Sequence, residues 1–109
     1  MSPYLPAFDA GVLTVMASFS SWNDDKCHGH KYLITDKLKH ELGFEGFVIS
    51  DWDGIDYTTE DYSDAIKIAL MAGIDMFMVS EKWKKFIVLM HDLAVSGAAP
   101  MSRIDDAVR

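Results

Sequence analysis

A unit of about thirty residues occurs three times in this 109-residue chain, and that repetition is what most restricts how it folds. The copies align on Gly11, Gly43 and Gly73. Each glycine leads into an apolar stretch, at residues 12–17, 44–49 and 74–79. Each stretch ends at a serine seven residues past its glycine: Ser18, Ser50 and Ser80. A tryptophan follows soon after, at Trp22, Trp52 and Trp83. The period is that of one strand plus one helix.

The apolar stretches are short, nearly continuous and rich in Val, Ile, Phe and Met, as in strands buried on both faces of a parallel sheet. Strands are predicted at 13–18, 47–50 and 76–80, parallel and adjacent in that order. Helical stripes lie between them. Tyr32, Leu33, Leu38 and Leu42 form the first, Ala65, Ile66, Ala69 and Leu70 the second, and Phe86, Ile87, Met90, Leu93 and Ala94 the third. Thr58 with Asp61 has the form of a capping box for the second helix, and Ser102 with Asp105 for a fourth. The glycines stand where helix C-caps belong. Strand and helix thus alternate, which predicts an α/β fold with a parallel sheet. Both a doubly wound sheet and part of a (β/α)8 barrel fit. A whole barrel needs about 250 residues, so three to four of its eight units are the most this length supplies.

Composition narrows the partners. Half the residues are hydrophobic and 25% are charged, which is globular rather than disordered. The net charge of −7 gives no electrostatic reason to bind nucleic acid. Lys82, Lys84 and Lys85 read as a solvated helix face. No apolar run has membrane-spanning length, and residues 1–9 lack the pattern of a secretion signal. The single cysteine, Cys27, excludes an internal disulfide.

In both candidate architectures ligands bind beyond the carboxyl ends of the strands. One residue past each repeat serine stand Phe19, Asp51 and Glu81. The segments that follow are polar and aromatic: Ser20-Ser21-Trp22-Asn23, Trp52-Asp53-Gly54 and Lys82-Trp83. Carboxylates beside indole rings suit sugars, whose C–H faces stack on aromatics while their hydroxyls bond to acids. Spacing equally allows Asp51 to be a strand-end residue that caps its own loop. Glu81 holds the equivalent place on the next strand. Strands lie about 4.8 Å apart, so Asp51 and Glu81 together have the form of a carboxylate pair.

The local words extend this. Residues 14–23 (Thr-Val-Met-Ala-Ser-Phe-Ser-Ser-Trp-Asn), 28–33 (His-Gly-His-Lys-Tyr-Leu) and 42–52 (Leu-Gly-Phe-Glu-Gly-Phe-Val-Ile-Ser-Asp-Trp) resemble, in order, segments of family-3 glycoside hydrolases. So do Ala72-Gly73-Ile74-Asp75-Met76 and residues 102–109. The resemblance spans essentially the whole chain. It implies the C-terminal part of a (β/α)8 barrel at residues 1–109, with the rest of the barrel and a second domain outside it. It also implies retaining hydrolysis of β-glucosidic bonds, of the β-glucosidase and exo-β-glucanase type acting at non-reducing ends. Asp51 matches the family's nucleophile in its Ser-Asp-Trp motif. Trp52 matches the aromatic that borders the next subsite, and Met16 and Phe19 match pocket-wall positions. No cofactor or metal is implied, and a periplasmic or secreted location is expected. The family's acid/base and its sugar-gripping Lys-His pair match nothing here, and His28 and His30 are not that pair. The loop departs from the family at Asp24-Asp25, where a glycine commonly follows the asparagine. The resemblance also argues against Glu81 as the acid/base.

Other readings of the same residues are weaker. Cys27, His28 and His30 lack a fourth ligand at zinc spacing. The run from Asp51 puts glycine fourth rather than sixth, and Tyr62 in place of the twelfth-position Glu of a calcium loop. The methionines at 71, 76, 78 and 90 read as core filler. Residues 48–54 also resemble the first motif of haloacid-dehalogenase-like phosphatases, with Asp51 attacking phosphorus, Asp53 as acid/base and magnesium on both. There the usual Thr after the glycine is Ile55, and Asp105-Asp106 opens a helix rather than ending a strand. A sugar-binding remnant without turnover is the third reading.

Overall fold

The structure, a computed structural model, describes residues 3–109. Helix α1 (Tyr4–Asp9) leads into strand β1 (Thr14–Met16). A hairpin of β2 (Ser21–Trp22) and β3 (Asp25–Lys26) follows, then a 3-10 turn at Cys27–Gly29 and a helix at Tyr32–Glu41. Strand β4 (Phe47–Ile49) comes next, then a 3-10 turn at Gly54–Tyr57. Helices α2 (Tyr62–Ala72), α3 (Trp83–Ser96) and α4 (Met101–Val108) complete the chain.

Strands β1 and β4 pair in parallel, Thr14 with Phe47, Val15 with Val48 and Met16 with Ile49. The α/β class with parallel strands is therefore as the repeat predicts. The third stretch differs. Only Met76 joins the sheet, through one parallel bridge to Ile49. The N–H groups of Met78 and Ser80 are claimed by side chains instead. The Met78 N–H donates to Ser50 Oγ at 2.7 Å, and the Ser80 N–H to Asp53 Oδ1 at 2.8 Å. The segment keeps the predicted place and direction beside β4 but loses the ladder.

The two strand faces have different fates. Val15 packs against the core and Val48 is buried within it, whereas Thr14, Met16 and Phe47 are exposed on the other side. Helices thus cover one face of the sheet. The core joins Val48, Ile34, Leu38, Phe44, Ile66, Leu70 and Ile74. Each fully buried Ile or Leu contributes about 1.5–3 kcal/mol relative to exposure.

Helix α2 carries the predicted stripe, with Ala65, Ile66, Ala69 and Leu70 all buried. Its cap is Asp61 alone, which accepts the Asp64 N–H at 2.9 Å; the Thr58 hydroxyl instead donates back to the Ile55 carbonyl. It stops at Gly73, φ 124°. A Cβ there would stand 2.6 Å from Ile34 Cγ2, so glycine also permits this close approach to the preceding helix. In that helix the buried residues are Ile34 and Leu38, while Tyr32 is exposed and stacks on Trp22. Its turns are wide: the Leu42 N–H bonds five residues back to the Lys37 carbonyl. In α3 Leu93 is buried with Phe86, Leu89 and Met90 packed on the core, and the predicted Ile87 is exposed. The fourth helix has Pro100 at its N-cap, so Ser102 lies inside the helix rather than capping it.

Candidate active site

The carboxyl ends of the strands gather most of the residues singled out from sequence. Asp51 follows β4, and Met16 ends β1, exposed on the face that the helices leave bare. Trp52 is 60% exposed. Its N–H donates to Asp51 Oδ1 at 2.7 Å, which fixes the carboxylate against its own loop. That is the contact expected of a strand-end residue capping its loop, and among the described residues no hydrogen bond engages Oδ2.

The Asp51 backbone is tied from the other side. Its N–H donates to His28 Nε2 at 2.9 Å. His28 is only 2% exposed. The Phe19 ring meets it edge-on at 5.9 Å, and Tyr57 packs edge-on against Phe19 at 5.5 Å. Behind the imidazole lies Gly54, where a Cβ would stand 2.4 Å from Nε2. Burial holds the His28 pKa below the usual 6.5, partly offset by the Asp51 charge. The ring is therefore neutral and accepts at Nε2. From sequence alone His28 carries no role. The one sequence signal for its role is Gly54, a glycine that makes room for it.

Asp53 fastens the loop to the third unit. Its backbone is left-handed, φ 50°, and its N–H donates to the Met78 carbonyl at 2.9 Å. Oδ1 accepts the Ser80 N–H and Oδ2 the Ser80 hydroxyl. These bonds hold the Asp53 carboxyl below its usual range, the hydroxyl contributing most. Both oxygens thus accept from Ser80, and the lowered pKa disfavours the protonated form that the acid/base of the phosphatase reading must also take. Glu81 is exposed in the turn that leads to α3. Lys82, expected on a solvated face, pairs with Asp56 at 2.9 Å and lies 4.9 Å from the Tyr62 ring centre. The cysteine and histidines are dispersed: Cys27 Sγ lies 3.8 Å from Ser20 Oγ, and His30 packs against Trp22.

Across Trp22, the turn at Asn23 and Asp24 has φ of 51° and 70°. Two consecutive positive values make the two-residue hairpin turn that usually takes Asn-Gly. The departure at Asp24 therefore retains the turn and changes only the residue that makes it.

At the opposite end of the strands an open cleft of about 1080 Å³ is lined by Leu13, Phe47, Lys39, Asp75 and Arg103 among others. Its Lys39, Asp75 and Arg103 are spent on structure. Asp75 accepts the Val48 N–H at 2.9 Å and pairs with Lys39 and Arg103, both at 2.8 Å. Arg103 also donates to the Leu70 and Ile74 carbonyls. This end stabilises the sheet, whereas ligands of parallel α/β sheets bind at the Asp51 end.

Residues 1–109 match the family model described as glycosyl hydrolase family 3 N terminal domain. A periplasmic β-glucosidase of Salmonella typhimurium is 36% identical over 100% of this chain and 14% of its own length. The crystal structure of an exo-1,3/1,4-β-glucanase from a Pseudoalteromonas species superposes with a TM-score of 0.91 at 42% identity, covering 96% of this chain and 13% of that one. A β-glucosidase from Listeria innocua in complex with glucose gives 0.85 at 26% identity, covering 96% and 15%. The chain thus spans about a seventh of the length of these relatives. With the family model matched from end to end, this chain belongs to the glycosyl hydrolase family 3 N-terminal domain.

Proposed function

We propose that this chain supplies the nucleophile-bearing part of a retaining β-glycosidase acting on β-glucosides or β-glucan oligosaccharides. In this reading it forms three consecutive units in the C-terminal part of a (β/α)8 barrel. The remaining units and a second domain provide the opposite pocket wall and the acid/base. The observation that carries the reading is Asp51, held at the carboxyl end of β4 by hydrogen bonds at both its backbone N–H and its carboxylate. The names of the relatives support the same substrate class, and the periplasmic relative supports a periplasmic or secreted enzyme.

The chemistry follows from the carboxylate. Asp51 attacks the anomeric carbon and forms a glycosyl ester as the bond to the leaving oxygen breaks. The acid, from outside this chain, protonates that oxygen. Water then attacks the same carbon, gives its proton to the now-basic partner and releases Asp51. Trp52 borders the leaving-group subsite, while Met16 and Phe19 form the wall beside the bound sugar.

The test is Asp51→Ala in the full-length enzyme. Turnover of an aryl β-glucoside falls by several orders of magnitude, while affinity for a glucose-like inhibitor changes little. Azide partly restores turnover and yields the inverted product, because it takes the place of the carboxylate. Near-normal turnover of the variant without azide rules Asp51 out.

A further inference from the structure

The parallel ladder between β1 and β4 runs out one bond early. The Phe47 N–H donates to the Leu13 carbonyl and the Ala17 N–H to the Ile49 carbonyl. Continued in register, the next bond would run from the Asp51 N–H to the Ala17 carbonyl. That donor is taken instead by His28 Nε2. An imidazole has replaced a backbone carbonyl as the acceptor that fixes the start of the Asp51 loop. The two differ in one chemical respect. A carbonyl accepts at every pH, whereas a protonated imidazole has only donors.

We propose that His28 is the positioning residue of Asp51, and that protonation of its imidazole releases the Asp51 backbone and switches the nucleophile out of register. The proposal rests on the reading of Asp51 as nucleophile. The geometry confines the ring on every side that the structure describes. It is 2% exposed, Phe19 packs against it, and the Gly54 backbone is too close to allow even a methyl group between them. A ring so enclosed cannot turn away to relieve the clash between an N–H at Nε2 and the Asp51 N–H.

The ionisable groups on the segments around it are Cys27 and His30 beside it, Asp51 and Asp53 at the strand end, Asp56 and Tyr57 on the 54–57 turn, and Tyr62, Asp64 and Lys67 on α2. Of these, Asp51 is the charge that bears on the ring, and it raises the pKa; burial acts in the opposite sense and is stronger. The neutral acceptor form is therefore kept to lower pH than in an exposed histidine. The hydrogen bond is complete above the usual 6.5 and is lost as pH falls through the lowered value.

Two variants of the full-length enzyme test this. His28→Leu removes the acceptor, and His28→Gln offers an amide oxygen at similar reach that does not titrate. With an aryl β-glucoside, His28→Leu lowers kcat about 100-fold, the loss expected of a misplaced reacting group, with KM little changed. His28→Gln retains most of kcat. Its acid limb loses the histidine component: wild-type kcat falls with two protons on the acid side and the glutamine variant with one. A His28→Leu enzyme with wild-type kcat and an unchanged profile overturns the proposal. So does a His28→Gln enzyme with an unaltered acid limb, which decides the matter even where the leucine variant does not fold. A 2-fluoroglucoside label mapped in the same enzymes separates the two readings. Label on another carboxylate defeats the assignment of Asp51. Label on Asp51 with unaltered pH dependence defeats the role of His28 alone.

Discussion

At Asp53 the backbone turns left-handed, and the carboxylate reaches across to both polar groups of Ser80. The sign of its contribution follows from its lowered pKa. The folded chain binds the proton less well than the unfolded one, so the stabilisation is present above the usual 3.8 and is lost as pH falls through the lowered value. In Asp53→Asn the acid-sensitive part disappears. Urea denaturation at neutral pH is expected to show a loss of about 1 kcal/mol, small because water screens a partly exposed carboxylate. At a pH below that lowered value the two proteins converge. Equal separation at both pH values contradicts the assignment. The strand-end place of Asp51 was legible because it follows an apolar run, whereas its reading as nucleophile rests on the resemblance of Ser50-Asp51-Trp52 to the family's motif. His28 was not legible, because its partner is a backbone N–H twenty-three residues away and its enclosure comes from three separate segments.

The strands show how far local composition reaches. Stretches 12–17 and 44–49 read as strands and contain β1 and β4, since continuous apolar runs of that length fit a parallel sheet. Stretch 74–79 has the same composition, yet only Met76 pairs, because Ser50 and Asp53 compete for its backbone. That competition is long-range and leaves no mark in a short window. Gly73-Ile74-Asp75-Met76 and Ser102-Arg103 were legible as family words without a role; the structure makes them one clasp. Asp75, its side chain 4% exposed, joins β4 to Lys39 on one helix and Arg103 on another. Asp75→Ala leaves two cations without their shared anion and an N–H of the central strand unpaired. A loss of about 3–5 kcal/mol is expected, measured by denaturant unfolding; a loss under about 1 kcal/mol, the size of an ordinary surface pair, contradicts the clasp. Asp75→Asn, which keeps an acceptor for Val48, costs less.

At the scale of the whole molecule, the helices among the described residues cover one side of the sheet and leave the other bare. On the bare side and at the strand ends Leu13 is 74% exposed, Met76 52% and Met16 49%. Open strand edges and apolar surface together favour association. The 109-residue chain by itself is expected to self-associate or to unfold at modest denaturant concentration, and to hydrolyse no glucoside. Sedimentation velocity checks this, and a monodisperse monomer with high cooperative stability contradicts it. Apolar patterning made the alternation of elements readable, but it pointed to strands buried on both faces, and here one face is bare. It carried no information on what occupies the bare face.

The central claim is that Asp51 forms the bond to the sugar. A 2-fluoroglucoside with a good leaving group slows both steps and traps the ester, provided the leaving group lets the first step proceed. Incubated with the full-length enzyme, digested and sequenced by mass spectrometry, it is predicted to leave one fluoroglucosyl group on the peptide that contains Ser50-Asp51-Trp52, on the Asp51 side chain. A stoichiometric label on any other carboxylate, Asp53 and Glu81 included, would contradict the account.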